Sequence, residues 1–149
     1  PAPTLGFSPD AEFPLINGEK GNVRLQVHFG NQAAGTFELK RFDSGLRENM
    51  VPREAVAVIT TPADDQVVTN FEAFLAAQPI MGQATQDDAG LKLEVVGKAA
   101  HGMEPRNGIN AGTYLATFLS QYAFAADAQD FLGFIATKLH DDSRVTQLD

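Results

Sequence analysis

Two spacings of apolar residues divide this chain. Val23, Leu25, Val27 and Phe29 are separated by Arg24, Gln26 and His28, a strict period of two. Successive strand side chains face opposite sides, so the pattern predicts a half-buried β-strand. Residues 36–42 alternate again, with Phe37 and Leu39 on one face. The loop at residues 30–35 would let these two runs pair antiparallel. Residues 54–59 carry Val56, Val58 and Ile59 and predict a third strand, although their start also reads as a short helix. Leu91, Leu93 and Val95 alternate with Lys92 and Glu94 and give a fourth.

The helical spacing appears between and after these runs. Thr69-Asn70-Phe71-Glu72 has a hydroxyl followed three residues later by a carboxylate, the spacing of a capping box. It predicts a helix from there to about Gln78, stopped by Pro79. Residues 83–90 are polar and read as a turn. Asn107 is expected to cap a second helix with the stripe Leu115, Phe118, Leu119, Tyr122 and Ala123. Ala128, Phe131, Leu132, Ile135 and Leu139 define a third, with Asp127 near its positive end. Residues 1–21 read as an irregular lead-in with a turn at Asn17-Gly18, and the tail from Asp141 is polar. Together these elements predict an α+β fold, an antiparallel sheet with helices packed on one face. The aromatic residues Phe118, Tyr122, Phe131 and Phe134 are read as core rather than as a cofactor site.

Composition narrows the function classes. The 149 residues suit one domain of ordinary size, and a hydrophobic share of 44% argues against disorder. A net charge of −8 argues against a nucleic-acid partner, whose phosphates would need a basic patch. No long apolar run suggests a membrane span, and no basic-then-apolar start suggests a secretory leader. The chain has no cysteine, which removes disulfides and thiolate metal sites and fits a cytoplasmic setting. It starts at Pro1 and reads as a piece of a longer protein.

Three stretches carry candidate chemistry. Gly6-Phe7-Ser8-Pro9-Asp10-Ala11-Glu12-Phe13-Pro14 holds two carboxylates between prolines. Carboxylate oxygens suit hard or borderline cations, and a solvated turn is the competing explanation. Ser44-Gly45-Leu46-Arg47-Glu48-Asn49-Met50-Val51-Pro52 places Asn49 before a proline turn. Its amide could donate to a developing oxyanion or could satisfy a local turn. The third stretch, residues 97–112, sets His101 among small residues between a strand and a helix. Small neighbours allow close approach, and loops on rigid scaffolds present functional side chains. On residue chemistry alone, function and structure are evenly balanced for His101. His28 is expected on an exposed strand face, and His140 at a helix end where a cation suits the dipole.

Residues 6–21, 45–52 and 97–112, taken in that order, resemble the dipeptidase V (Xaa-His dipeptidase) branch of the M20 family of dizinc metallopeptidases. The first motif is specific to that branch, whereas the Ala-His-Gly…Pro…Gly…Asn-Ala pattern runs through the wider family. The resemblance implies a ferredoxin-like lid (dimerisation-type) domain over residues 22–149, incomplete at its C-terminal side. It makes residues 1–21 the remnant of a catalytic domain. It implies Asp10 as a ligand in a two-Zn2+ site, and His101 and Asn49 as lid residues that stabilise the substrate carbonyl oxygen. The implied partners are a dipeptide substrate and the rest of the catalytic domain. The remaining ligands of a dizinc site are missing here, so the fragment alone is expected to be inactive. Two other classes stay open: an isolated dimerisation or binding module that self-associates, and a stand-alone hydrolase with a hidden metal site.

Overall fold

The computed structural model describes residues 35–62 and 66–142. The expected strand at residues 23–29, the Asn17-Gly18 turn, Asp10 and His28 lie outside those residues. The described elements run β1 (Glu38–Ser44), β2 (Glu54–Thr60), α1 (Val67–Ala77), β3 (Met81–Asp87), β4 (Gly90–Val96), α2 (Ala111–Leu119) and α3 (Ala126–Phe134). A short 3-10 turn (Pro105–Asn107) precedes α2, and a π-helical turn (Ile135–Leu139) continues α3. The four strands form one antiparallel sheet in the order β1-β2-β4-β3, with the helices on one face, the expected α+β architecture. β2 and β3 run parallel on either side of β4, so β2, α1 and β3 make a split β-α-β unit.

The period-two pattern is realised in the paired central strands. Ala55, Ala57 and Ile59 of β2 stand opposite Val95, Leu93 and Leu91 of β4, and all six are buried. Val56 and Val58 therefore face the open side, where they are only half-buried. The two alanines leave room for α2 to lie close to the sheet, with Ala111 and Ala116 fully buried. In β1 the alternation slips at a bulge between Leu39 and Arg41, which turns Phe42 inward against Phe131 at 5.4 Å.

Several boundaries differ from the sequence reading, beginning with α2, which ends at Leu119 and leaves Tyr122 and the exposed Ala123 of the expected stripe beyond the helix. α1 starts at Val67, its cap residue is Gln66, and no side chain caps it. Starting three residues earlier than a Thr69 cap would allow buries Val67 together with Phe71, one turn apart on the inner face. That burial outweighs the ~1 kcal/mol a Thr69 cap would contribute. Residues 83–87 are not a turn but most of β3, paired along its full length with β4. An edge strand takes its hydrogen bonds from its neighbour and needs little apolar content. Only Ala84 in β3 is even half-buried. The turn itself is shorter: Asp87 Oδ1 accepts from the N–H groups of Ala89 (2.8 Å) and Gly90 (3.2 Å). Finally, Asn107 lies in the 3-10 turn and Asn110 caps α2, accepting from Gly112 N–H (3.0 Å) and Thr113 N–H (3.3 Å).

α2 is buried nearly all round, which marks it as the central helix. Phe118 packs against Phe71 at 4.9 Å and Phe74 at 5.3 Å, so α1 and α2 share one aromatic core above the sheet. Phe118 is buried, and Tyr122 and Phe131 are partly buried against that core, as the aromatic reading expected, whereas Phe134 is half-buried and not part of that cluster.

Candidate functional site

The site is built where two loops leave the same end of the sheet. One loop, residues 45–53, joins β1 to β2. The other, residues 97–110, joins β4 to α2. The second loop is pinched at its base, where Lys98 and Ile109 exchange two backbone hydrogen bonds of 2.9 and 2.8 Å. Gly97 makes that pinch possible, because a Cβ there would fall 2.2 Å from the Ile109 carbonyl oxygen. Within the loop, Glu104 N–H donates to the His101 carbonyl (2.9 Å), and the 3-10 turn returns the chain to α2.

The two loops are stitched together by backbone. Val51 N–H donates to the Ala100 carbonyl (2.8 Å), and Gly102 N–H donates to the Asn49 carbonyl (2.7 Å). These bonds flank Met50 and His101, which stand opposite each other as an antiparallel bridge. Gly97 N–H donates to Arg53 O (2.8 Å) and Ala111 N–H to Pro52 O (3.0 Å), which fastens both loops to the sheet end and the start of α2. Asn49 and His101, 52 residues apart in the chain, thus come within one backbone rung of each other.

Both side chains are exposed. The imidazole of His101 is not free to choose its tautomer. Its Nδ1 accepts from the Met103 backbone N–H at 3.1 Å. The neutral ring then carries its proton on Nε2, the nitrogen left to donate outward. The same tip exposes two large apolar side chains, Leu46 (97%) and Met103 (53%). Neither drew attention in the sequence. Their signal would have been position alone, three residues before Asn49 and two after His101.

The third histidine is placed differently. His140 packs edge-to-face on Tyr114 at 4.6 Å, with Nδ1 3.2 Å from the Thr113 hydroxyl and Nε2 3.7 Å from Asp141. It ties the end of the π-helical turn to the first turn of α2. Burial pushes the Tyr114 phenol above its ordinary range, and Asp141 adds to the rise. Among the described residues no three His, Asp or Glu side chains come together in a way that could hold a metal ion. The described part of the chain therefore does not fit a metal centre by itself, and Asp10 lies outside it. No helix among the described residues is long and apolar enough to cross a membrane.

These features define an α+β domain that offers an amide and an imidazole from one stitched pair of loops. No family model matches the chain. It is 40% identical over 150 residues to the putative dipeptidase YtjP of Bacillus subtilis, covering 99% of this chain and 32% of that protein. It is 38% identical over 143 residues to the Beta-Ala-Xaa dipeptidase of Lactobacillus delbrueckii subsp. lactis (95% and 30%). A putative dipeptidase of Staphylococcus aureus (strain USA300) is 44% identical over 137 residues (89% and 29%). The chain thus spans about a third of the length of the curated relatives it matches.

Proposed function

We propose that this chain is part of a dipeptidase and presents Asn49 and His101 to the carbonyl oxygen of the peptide bond being cut. The observation that carries this reading is the backbone bridge between Met50 and His101, flanked by the Gly102–Asn49 bond. It unites the two donor-bearing loops at an exposed tip. The dipeptidase names of the relatives supply the substrate class.

The chemistry follows from the donors. When a peptide carbonyl is attacked, negative charge grows on its oxygen. A preset N–H strengthens its hydrogen bond as that charge appears, and one such donor contributes about 10²–10³ in rate. The Met103 N–H on Nδ1 leaves His101 Nε2–H as the donor. The amide of Asn49 supplies another. In this reading the domain acts as a lid over the rest of a cytoplasmic enzyme of the M20 family, dipeptidase V branch. Asp10 belongs to its two-zinc site, and the other ligands come from parts of the parent beyond this chain.

In the full-length parent, His101→Ala should lower kcat by about 10²-fold or more while leaving metal content unchanged. Dipeptide hydrolysis and metal analysis on the same preparations check this. Loss of metal with the activity would overturn the oxyanion role.

A second reading, a self-associating module, draws support from β3. This edge strand is exposed at six of its seven residues, and Met81 is 71% exposed. Sedimentation over a range of concentrations separates it from a monomeric lid: a monomer at every concentration removes this reading.

A further inference from the structure

We propose that Gly102 is a positioning residue: the missing Cβ lets the His101 loop seat against the Asn49 backbone, so that both donors are held in one register. The proposal rests on the reading of Asn49 and His101 as oxyanion donors. Gly102 N–H donates to the Asn49 carbonyl at 2.7 Å. A Cβ on residue 102 would lie 3.1 Å from that carbonyl oxygen, 3.4 Å from its carbon and 3.7 Å from the Asn49 Cα. All three atoms are backbone, so no side-chain rotation relieves the contact. Backbone conformation is not what demands glycine here. Among the described residues the glycines with positive φ are Gly45 and Gly90.

The contact is tight enough to push and too mild to unfold. A methyl group at residue 102 must displace the Asn49 backbone by a few tenths of an ångström. Asn49 yields as a unit with its turn, because Met50 N–H is bonded to the Arg47 carbonyl at 3.2 Å. The displacement therefore reaches the Asn49 amide. Hydrogen bonds to a developing oxyanion depend on placement at that scale, and a 1 Å error elsewhere costs about 10²-fold.

The test is a double-mutant cycle in the full-length parent with a dipeptide substrate. Gly102→Ala should lower kcat about tenfold, with KM and metal content nearly unchanged. In an Asn49→Ala background the same change should lower kcat less than about twofold, because the group it displaces is already gone. Equal losses in both backgrounds would overturn the proposal while leaving the donor reading intact. An unfolded Gly102→Ala protein, judged by circular dichroism, would also overturn it, since a 3.1 Å contact should not cost the fold. If Asn49→Ala and His101→Ala both leave kcat unchanged, the donor reading fails first and this inference falls with it.

Discussion

Single side chains in this domain act mostly through backbone partners. His101 is the clearest case. Its exposed ring is fixed in tautomer by one N–H from two residues on, so a loop residue gains a defined donor without burial. Asn110 does the reverse and uses its side chain to satisfy two backbone donors at the start of α2. On the open face of the sheet, Glu94 meets Lys92 Nζ at 2.7 Å and Gln83 Nε2 at 2.6 Å. The hydrogen bond from Lys92, then that from Gln83, hold its carboxyl below the ordinary glutamate range. A carboxyl with a folded pKa below its unfolded one stabilises above the unfolded value. That contribution disappears as pH falls through the folded value. Glu94→Gln should therefore destabilise at neutral pH and lose its effect on acidification below the glutamate range. Because both partners are partly exposed, the difference at neutral pH should be small, about 0.2–1 kcal/mol. Urea unfolding at neutral and acid pH checks the sign.

At the scale of elements, the loops matter more than the strands and the helix they connect. The 97–110 loop has little apolar content to hold it, yet it is braced at its base by the Lys98–Ile109 pair and at its tip by the Met50–His101 bridge. The base depends on Gly97. Gly97→Ala would drive a Cβ to 2.2 Å from the Ile109 carbonyl oxygen and 3.3 Å from Ala111 N, at the threshold of α2. A clash with backbone cannot be repacked, so we expect a loss of about 1–3 kcal/mol. A urea midpoint lowered clearly more than by Gly102→Ala is the expected result, and an unchanged midpoint would contradict it. β3 shows the opposite economy. It has almost no burial of its own and exists because β4 offers a free edge.

At the scale of the molecule, the proposed function separates the donors from the reaction centre. The described residues bring Asn49 and His101 together but assemble no metal-holding group of their own. The chain spans about a third of its dipeptidase relatives. Incubated alone with zinc or manganese and a set of dipeptides, it should give no metal-dependent turnover. Turnover at a rate near that of a complete dipeptidase would sink the lid reading. The core beneath these two loops is ordinary by contrast: one helix buried nearly all round, α2, over one face of a sheet.

The sequence by itself determined the elements whose burial has a single period. β4 was legible because its alternation buries one face more deeply than the other, and α2 and α3 because their apolar residues recur at helical spacing. The antiparallel sheet with helices on one side followed from them. The motifs around Asn49 and His101 offered candidate chemistry without geometry. The tertiary structure decided what local pattern could not carry. It made residues 83–87 a strand, because their hydrogen bonds come from β4. It moved the start of α1 to Val67, because core burial exceeds the worth of a cap. It chose Asn110 over Asn107 as the cap of α2, because the pinch at Gly97 fixes where the loop ends. It also set Asn49 and His101 on adjoining rungs, since long-range backbone pairing leaves no periodic trace in either segment.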